Sequence, residues 1–278
     1  MSLPASRVRL VVNADGFGSS AERDRAVLAS HQRGIVTSTS VLGIVADPAA
    51  VKTALAAAPR LGVGILVALS GGAPVAPARS VPSLLGPDER LPGSRHDVIL
   101  NWAKAALVPG EVEREIDAQV GRLRDAGLVI DHLAVQDDLG FLPMIAEQSA
   151  RVARRHGIAG LRVTVERPTL AWVSDPRRGL GTAALGALAW LGRRQLGTHR
   201  HGPQSWGCFE QGRLDEVRIL EILGRLGPGC HELICHPELE GDLAQAPRHG
   251  EAFALTSTRV YEVVKHRQIE LCRWTDLF

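Results

Sequence analysis

Short apolar runs separated by helix-patterned segments, repeated along most of the chain, constrain the fold more than any other feature of this sequence. The runs Val8–Asn13, Val36–Val45, Gly62–Leu69, Val129–Gln136, Gly160–Val165, His231–His236 and Gln268–Arg273 read as strands. Between them lie helix patterns at Ser20–Arg33, Pro48–Ala58, Glu111–Ala126, Pro143–His156, Leu214–Leu226 and Thr256–His266, with Gly34, Gly127 and Gly157 placed as C-terminal stops. Helical crossovers between strands predict a largely parallel sheet. A length of 278 residues suits one α/β barrel of ~250 residues. The expected fold is a distorted seven- or eight-stranded βα (TIM-like) barrel, a single domain over residues 1–278.

Two segments break the rhythm. Gly71–Leu107 is rich in Pro and Gly and reads as a functional rim or lid. Leu180–Leu191 is almost entirely apolar, is followed by Arg193-Arg194, and opens a helical insertion over about residues 180–198. It falls short of the ~20 residues that span a bilayer, which leaves a buried or dimer-interface helix, or an apolar wall over a lipid-like substrate. The formal charge of +2 offers no electrostatic reason for nucleic acid or an anionic membrane as main partner. The start of the chain lacks a basic region and a long apolar stretch, so a cytoplasmic protein is expected. Cys208, Cys230, Cys235 and Cys272 show no C-x-x-C spacing and read as reduced core thiols, without structural zinc.

In a βα barrel the reacting groups sit at the C-terminal ends of strands. The first strand runs into Asn13-Ala14-Asp15-Gly16, the fourth into Gln136-Asp137-Asp138, and the strand around Leu233 into Cys235-His236-Pro237. Asp15 and His236 therefore point to chemistry at the mouth, against the plainer readings of a helix cap and a structural histidine. Asp137 and Asp138 are adjacent, so in an extended segment only one of them faces the site. Gly16-x-Gly18-x-x-Ala21 has a dinucleotide-loop look, but Gly34–Leu42 holds none of the acid that would contact a ribose. A P-loop and a Gly-x-Ser-x-Gly elbow are both missing from the sequence.

The stretches Asn13-Ala14-Asp15-Gly16-Phe17-Gly18, Arg33 to Ser40, Leu61-Gly62-Val63-Gly64 and Glu232-Leu233-Ile234-Cys235-His236-Pro237, in this order, resemble the YdjC family of carbohydrate deacetylases. The middle of the chain is most similar to its hopanoid-biosynthesis-associated branch, HpnK. The resemblance implies a distorted βα barrel, often dimeric, that removes acetyl groups from N-acetylated sugars with a divalent metal. It assigns Asp15 as general base and His236 as general acid. The family's metal ligands are replaced: its second aspartate by Gly16, one histidine by Leu66, and three further histidines by Gln136, Asp138 and Gly140, while His132 persists.

A metal site needs its ligands together, so the leading expectation is metal-independent acid–base chemistry: elimination, isomerisation or cyclisation on a small polyol-, sugar- or metabolite-like substrate with an apolar part, without a cofactor. Asp15 and His236 carry the proton transfers, and Asn13, Leu66, Gln136, Asp138, Arg162 and Arg167 contact substrate, with Val67 beside Leu66 on the apolar side. One alternative is a metal-dependent deacetylase with a site rebuilt from Asp15, Asp138 and His236. Another is a non-catalytic binding protein. A small-molecule substrate and a homodimer are the expected partners.

Overall fold

The computed structural model describes residues 7–164, 187, 203–208, 214–239 and 250–278. Its strands are β1 (Val8–Phe17), β2 (Ser38–Leu42), β3 (Gly62–Val67), β4 (His132–Val135), β5 (Gly160–Leu161), β6 (Gln204–Trp206), β7 (Gly229–Cys235) and β8 (Glu270–Leu271). Every pairing is parallel, and the sheet runs β5-β4-β3-β2-β1-β7-β6. β8 pairs with β1 at Arg9 and Leu10, on the stretch preceding the β2 pairing, which begins at Asn13. Among the described residues no pairing closes β5 onto β6. The architecture they establish is a single α/β domain built on a curled parallel half-barrel of seven strands, where the sequence suggested a distorted TIM-like barrel of seven or eight.

The helices are α1 (Ala21–Arg33), α2 (Pro48–Leu55), α3 (Arg95–Ala103), α4 (Pro109–Asp125), α5 (Pro143–Arg155), α6 (Glu216–Arg225), α7 (Glu251–Leu255) and α8 (Thr258–His266). Their starts follow local chemistry: the Ser20, Asp47, Ser94, Asp215 and Ser257 side chains accept backbone N–H groups of the first turn. Ser257 thus begins α8 within the Thr256–His266 pattern, while α7, which precedes it, was not read from sequence. Gly127 and Gly157 end α4 and α5 with left-handed φ of 84° and 65°. Gly34 does not: its φ is −141°, and a Cβ there would lie 2.2 Å from the Leu255 carbonyl oxygen, so it is required by close packing.

The Pro- and Gly-rich rim contains α3, which the sequence pattern missed because its apolar periodicity is short. Two buried polar residues of α4 pin the rim and the end of β3. Glu115 accepts from the Val75 and Ala76 amides at 2.9 and 3.0 Å, and Gln119 bonds both the N–H and C=O of Ala68. Each buried acceptor thereby satisfies backbone that would otherwise be lost to water. β6 was also unread from sequence, being only three residues long. The apolar stretch Leu180–Leu191 lies outside the described residues apart from Ala187.

Candidate active site

β1 presents Asp15 through a break in its own ladder. Asp15 pairs with Ser40 and Phe17 with Val41, so Gly16 is an extra, bulged residue with φ +89°. Such a bulge bends the strand and re-aims the side chain beside it, and its backbone conformation is one that glycine adopts at little cost.

Asp15 is 4% exposed and is held on both carboxylate oxygens. Asn13 Nδ2 donates to Oδ1 at 2.7 Å, and Arg162 Nη1 donates to Oδ2 at 2.6 Å. Arg162 also donates to Glu232 on β7, from Nη2 at 2.6 Å and from Nε at 3.0 and 3.2 Å to the two carboxylate oxygens. Trp274 Nε1 donates to Glu232 Oε1 at 3.2 Å. Burial pushes the Asp15 pKa up, but the Arg162 charge, with that of His236 and the Arg162 hydrogen bond, outweighs it and holds the carboxyl below its ordinary value of 3.8. Arg162 is raised, since the attraction of Asp15 and Glu232 exceeds the opposing effect of burial.

A second chain of buried groups reaches Asp15 from the other side. Asn13 Nδ2 also donates to Ser40 Oγ at 3.0 Å, Ser40 Oγ lies 2.9 Å from His132 Nε2, and His132 Nδ1 lies 2.5 Å from Asp131 Oδ1. His132 stacks on Trp274 with ring centroids 4.9 Å apart and planes 10° apart. Gly64 creates the slot: a Cβ there would fall 2.2 to 2.4 Å from the imidazole atoms. The two chains meet at Trp274 and enclose the floor beneath Asp15.

His236 follows the last residue of β7, with Nε2 at 4.0 Å from Asp15 Oδ2 and its side chain 20% exposed. Its backbone N–H donates to Glu251 Oε2 at 2.5 Å. Burial lowers its pKa below 6.5, a direction that the attraction of Asp15 and Glu251 opposes and Arg23 reinforces.

Above this pair lies a cavity of about 260 Å³ lined by Asp15, Gly16, Ser19, Arg23, Leu42, Leu66, Val135, Gln136, Asp137, Asp138, Cys208, Ile234 and His236. Of the residues expected at the site, the structure brings Asp15, Leu66, Gln136, Asp138 and His236 together there. Asn13 sits fully buried beneath Asp15, Val67 is buried in the core, and Arg162 is engaged by Asp15 and Glu232. Arg167 lies outside the described residues.

The expectation that only one of Asp137 and Asp138 faces the site is corrected: both line the cavity. The segment is a tight turn with φ of 57° and 58°, so the alternation of an extended strand does not apply. Ser70 Oγ donates to Asp137 at 3.3 Å and Thr164 Oγ1 to Asp138 at 2.8 Å. Burial raises the Asp138 pKa above 3.8 despite that hydrogen bond.

Arg23 and Glu232 escaped the sequence reading. Glu232 carried a signal, an acid within the strand read at His231–His236, directly before the apolar Leu233-Ile234-Cys235, that demands a partner. Arg23 carried none, being one of many arginines on a helix. Among the described residues, no three His, Cys, Asp or Glu side chains stand together as a metal-holding group, and no helix is long and apolar enough to cross a membrane.

A parallel α/β half-barrel with a buried carboxylate and guanidinium and a half-buried imidazole at the C-terminal ends of its strands is the layout of a barrel-type enzyme site. The chain belongs to the YdjC-like protein family, whose model matches residues 9–266. A carbohydrate deacetylase of Mus musculus is 33% identical over 289 residues, covering 92% of this chain and 87% of that one. A carbohydrate deacetylase of Brevibacillus brevis is 31% identical over 173 residues, less than two thirds of either chain at 61% and 63%. The crystal structure of an Enterococcus faecalis V583 protein named for cellobiose-phosphate cleavage shares the fold at a TM-score of 0.75, with 21% identity and 98% and 99% of the two chains covered. The chain is thus a homologue of carbohydrate deacetylases.

Proposed function

We propose that this protein is a YdjC-family enzyme that moves protons through His236 and Asp15 on a small sugar- or polyol-like substrate with an apolar part, without a divalent metal. The single observation carrying this reading is the placement of His236 Nε2 4.0 Å from an ionised Asp15, both lining one cavity. The substrate class follows from the carbohydrate deacetylases it resembles and from the wall made by Leu42, Leu66 and Ile234 beside Gln136, Asp137 and Asp138.

The donors present do not fit a metal centre. Gly16 has no side chain to serve as a ligand, Leu66 is apolar, and both Asp15 carboxylate oxygens already accept hydrogen bonds, from Asn13 and Arg162. The Arg23 guanidinium adds a positive charge on the same wall, which opposes a second cation. A site rebuilt from Asp15, Asp138 and His236 therefore lacks the supporting geometry.

The pKa directions refine the roles. Asp15 is ionised and His236 neutral at pH 7, so both start the cycle able to accept a proton. Neutral His236 takes the proton from substrate, the imidazolium formed is stabilised by the adjacent Asp15 carboxylate, and the same proton is returned at another atom of the substrate. Asn13 and Arg162 hold the carboxylate while this happens. Such positioned acid–base catalysis contributes ~10²–10⁴-fold.

The experiment is incubation of the protein with a panel of sugars, polyols and N-acetyl sugars in D₂O, followed by ¹H NMR with and without chelator. The reading expects deuterium entering carbon positions, unaffected by chelator and lost in His236→Ala. Release of acetate that chelator abolishes supports metal-dependent deacetylation instead, the reading that the named relatives favour.

A further inference from the structure

We propose that Arg23 forms an oxygen-anion subsite in this cavity, taking a carboxylate, phosphate or acyl-carbonyl oxygen of the substrate, while Gln136 takes its hydroxyl or amine donors. The inference rests on the reading of the cavity as the substrate site and fixes which way round the substrate lies.

Two arginines approach Asp15, and they are differently engaged. All three Arg162 nitrogens donate within the buried cluster, and the side chain is 4% exposed and absent from the cavity lining. Arg23 lines the cavity and is the sole Lys or Arg among the described lining residues. Nη1 makes a long contact of 3.3 Å to the Asp15 carbonyl oxygen, and Nη2 pairs with Glu238. The Glu238 side chain is 63% exposed against 16% for Arg23. A carboxylate in that position exchanges readily with solvent, and pairs of this kind add little to stability. A ligand oxygen can therefore replace Glu238 on the guanidinium without breaking any buried interaction.

The bulge explains how the arm reaches the site. A Cβ at Gly16 would stand 3.1 Å from Arg23 Cδ, so the aliphatic stem lies across the bulged residue and carries the charge alongside Asp15. On the β4 side, Gln136 Oε1 is a buried acceptor with no hydrogen-bond partner among the described residues, in a residue that lines the cavity. An acceptor of that kind is satisfied by a donor entering the cavity. Cation and orphan acceptor together match a substrate with an electron-rich oxygen at one end and hydroxyl or amine groups at the other.

The test is NMR titration of the full chain with acetate and, separately, inorganic phosphate, read on the His236 imidazole resonances. Wild-type protein is expected to bind at least one anion; acetate preference marks a carboxylate or acyl group, phosphate preference a phosphorylated substrate. Arg23→Ala should weaken binding at least ~10-fold and Arg23→Lys by less, since lysine keeps the charge without the fork. Glu238→Gln should tighten it by up to ~5-fold, by removing the competing carboxylate. Neither anion binding to folded wild-type protein, or unchanged affinity in Arg23→Ala, overturns the subsite. Should Arg23→Ala fail to fold, no loss in Arg23→Lys together with no gain in Glu238→Gln overturns it equally. Asp15→Asn separates the two proposals: unaltered turnover in that variant contradicts the proton-transfer reading while leaving anion binding intact.

Discussion

Below Asp15, Arg162 commits three nitrogens to two carboxylates that are at most 6% exposed, whereas at the mouth Arg23 holds Glu238, a carboxylate 63% exposed. The floor is a network whose charged groups are paired and shielded from water. The mouth keeps hydrogen-bonding capacity unspent, in the orphan oxygen of Gln136 and in a guanidinium with a replaceable partner. Removing one partner from a buried pair strands the other charge, while removing one from an exposed pair leaves water to solvate it. On the proposed function, the difference separates residues that position the chemistry from residues that meet the substrate, although both sets contain arginines and carboxylates.

The largest expected effect breaks the floor. Arg162→Ala strands Asp15 and Glu232 and should cost ~3–5 kcal/mol in urea unfolding, whereas Arg23→Ala or Glu238→Ala should cost less than ~1 kcal/mol. Equal losses for the two arginines would erase the contrast. Next comes activity: His236→Ala and Asp15→Asn should each lower turnover by at least ~10²-fold with the fold preserved by circular dichroism.

Gly64→Ala sharpens the comparison within the floor. Its methyl would overlap the His132 ring, so a loss of ~1–3 kcal/mol is expected in the same unfolding assay.

The smallest effect, a gain, belongs to the mouth. The Asp138 carboxyl titrates above 3.8 in the fold, so at pH 7 its charge costs stability, and the cost disappears as pH falls through the folded pKa. Asp138→Asn should therefore raise Tm slightly at pH 7, with the gain vanishing in acid. Asparagine also tolerates the left-handed φ of 58° and keeps an acceptor for Thr164.

Stability against pH follows from the same directions. His236 binds its proton less readily folded than unfolded, so its contribution is fully present above pH 6.5 and is lost as pH falls below that value. Asp15 acts in a lower window: its paired carboxylate stabilises the fold above pH 3.8, and that contribution disappears as pH falls through its still lower folded pKa.

The strand ends were legible because each lies on a run of apolar residues that fixes where the backbone emerges. This is why Asp15 and His236, read from sequence as strand-end residues, line one cavity with Leu66 and Gln136. What sequence did not reveal depends on contacts between distant segments. Arg162 meets Glu232 across 70 positions and Asp15 across 147, so its place in the floor had no local trace. The joint exposure of Asp137 and Asp138 depends on two consecutive left-handed residues, a backbone choice that an assumed strand conceals. β6 and α3 were too short for periodicity to show.

The central claim is that His236 rests neutral in the site and is coupled electrostatically to Asp15. NMR titration of the His236 imidazole in wild-type protein and in Asp15→Asn tests it without any knowledge of substrate. The account predicts a wild-type pKa below 6.5, and a lower one still in Asp15→Asn, because the carboxylate favours the imidazolium. A wild-type pKa above 6.5, or one that does not move when the Asp15 charge is removed, would contradict it.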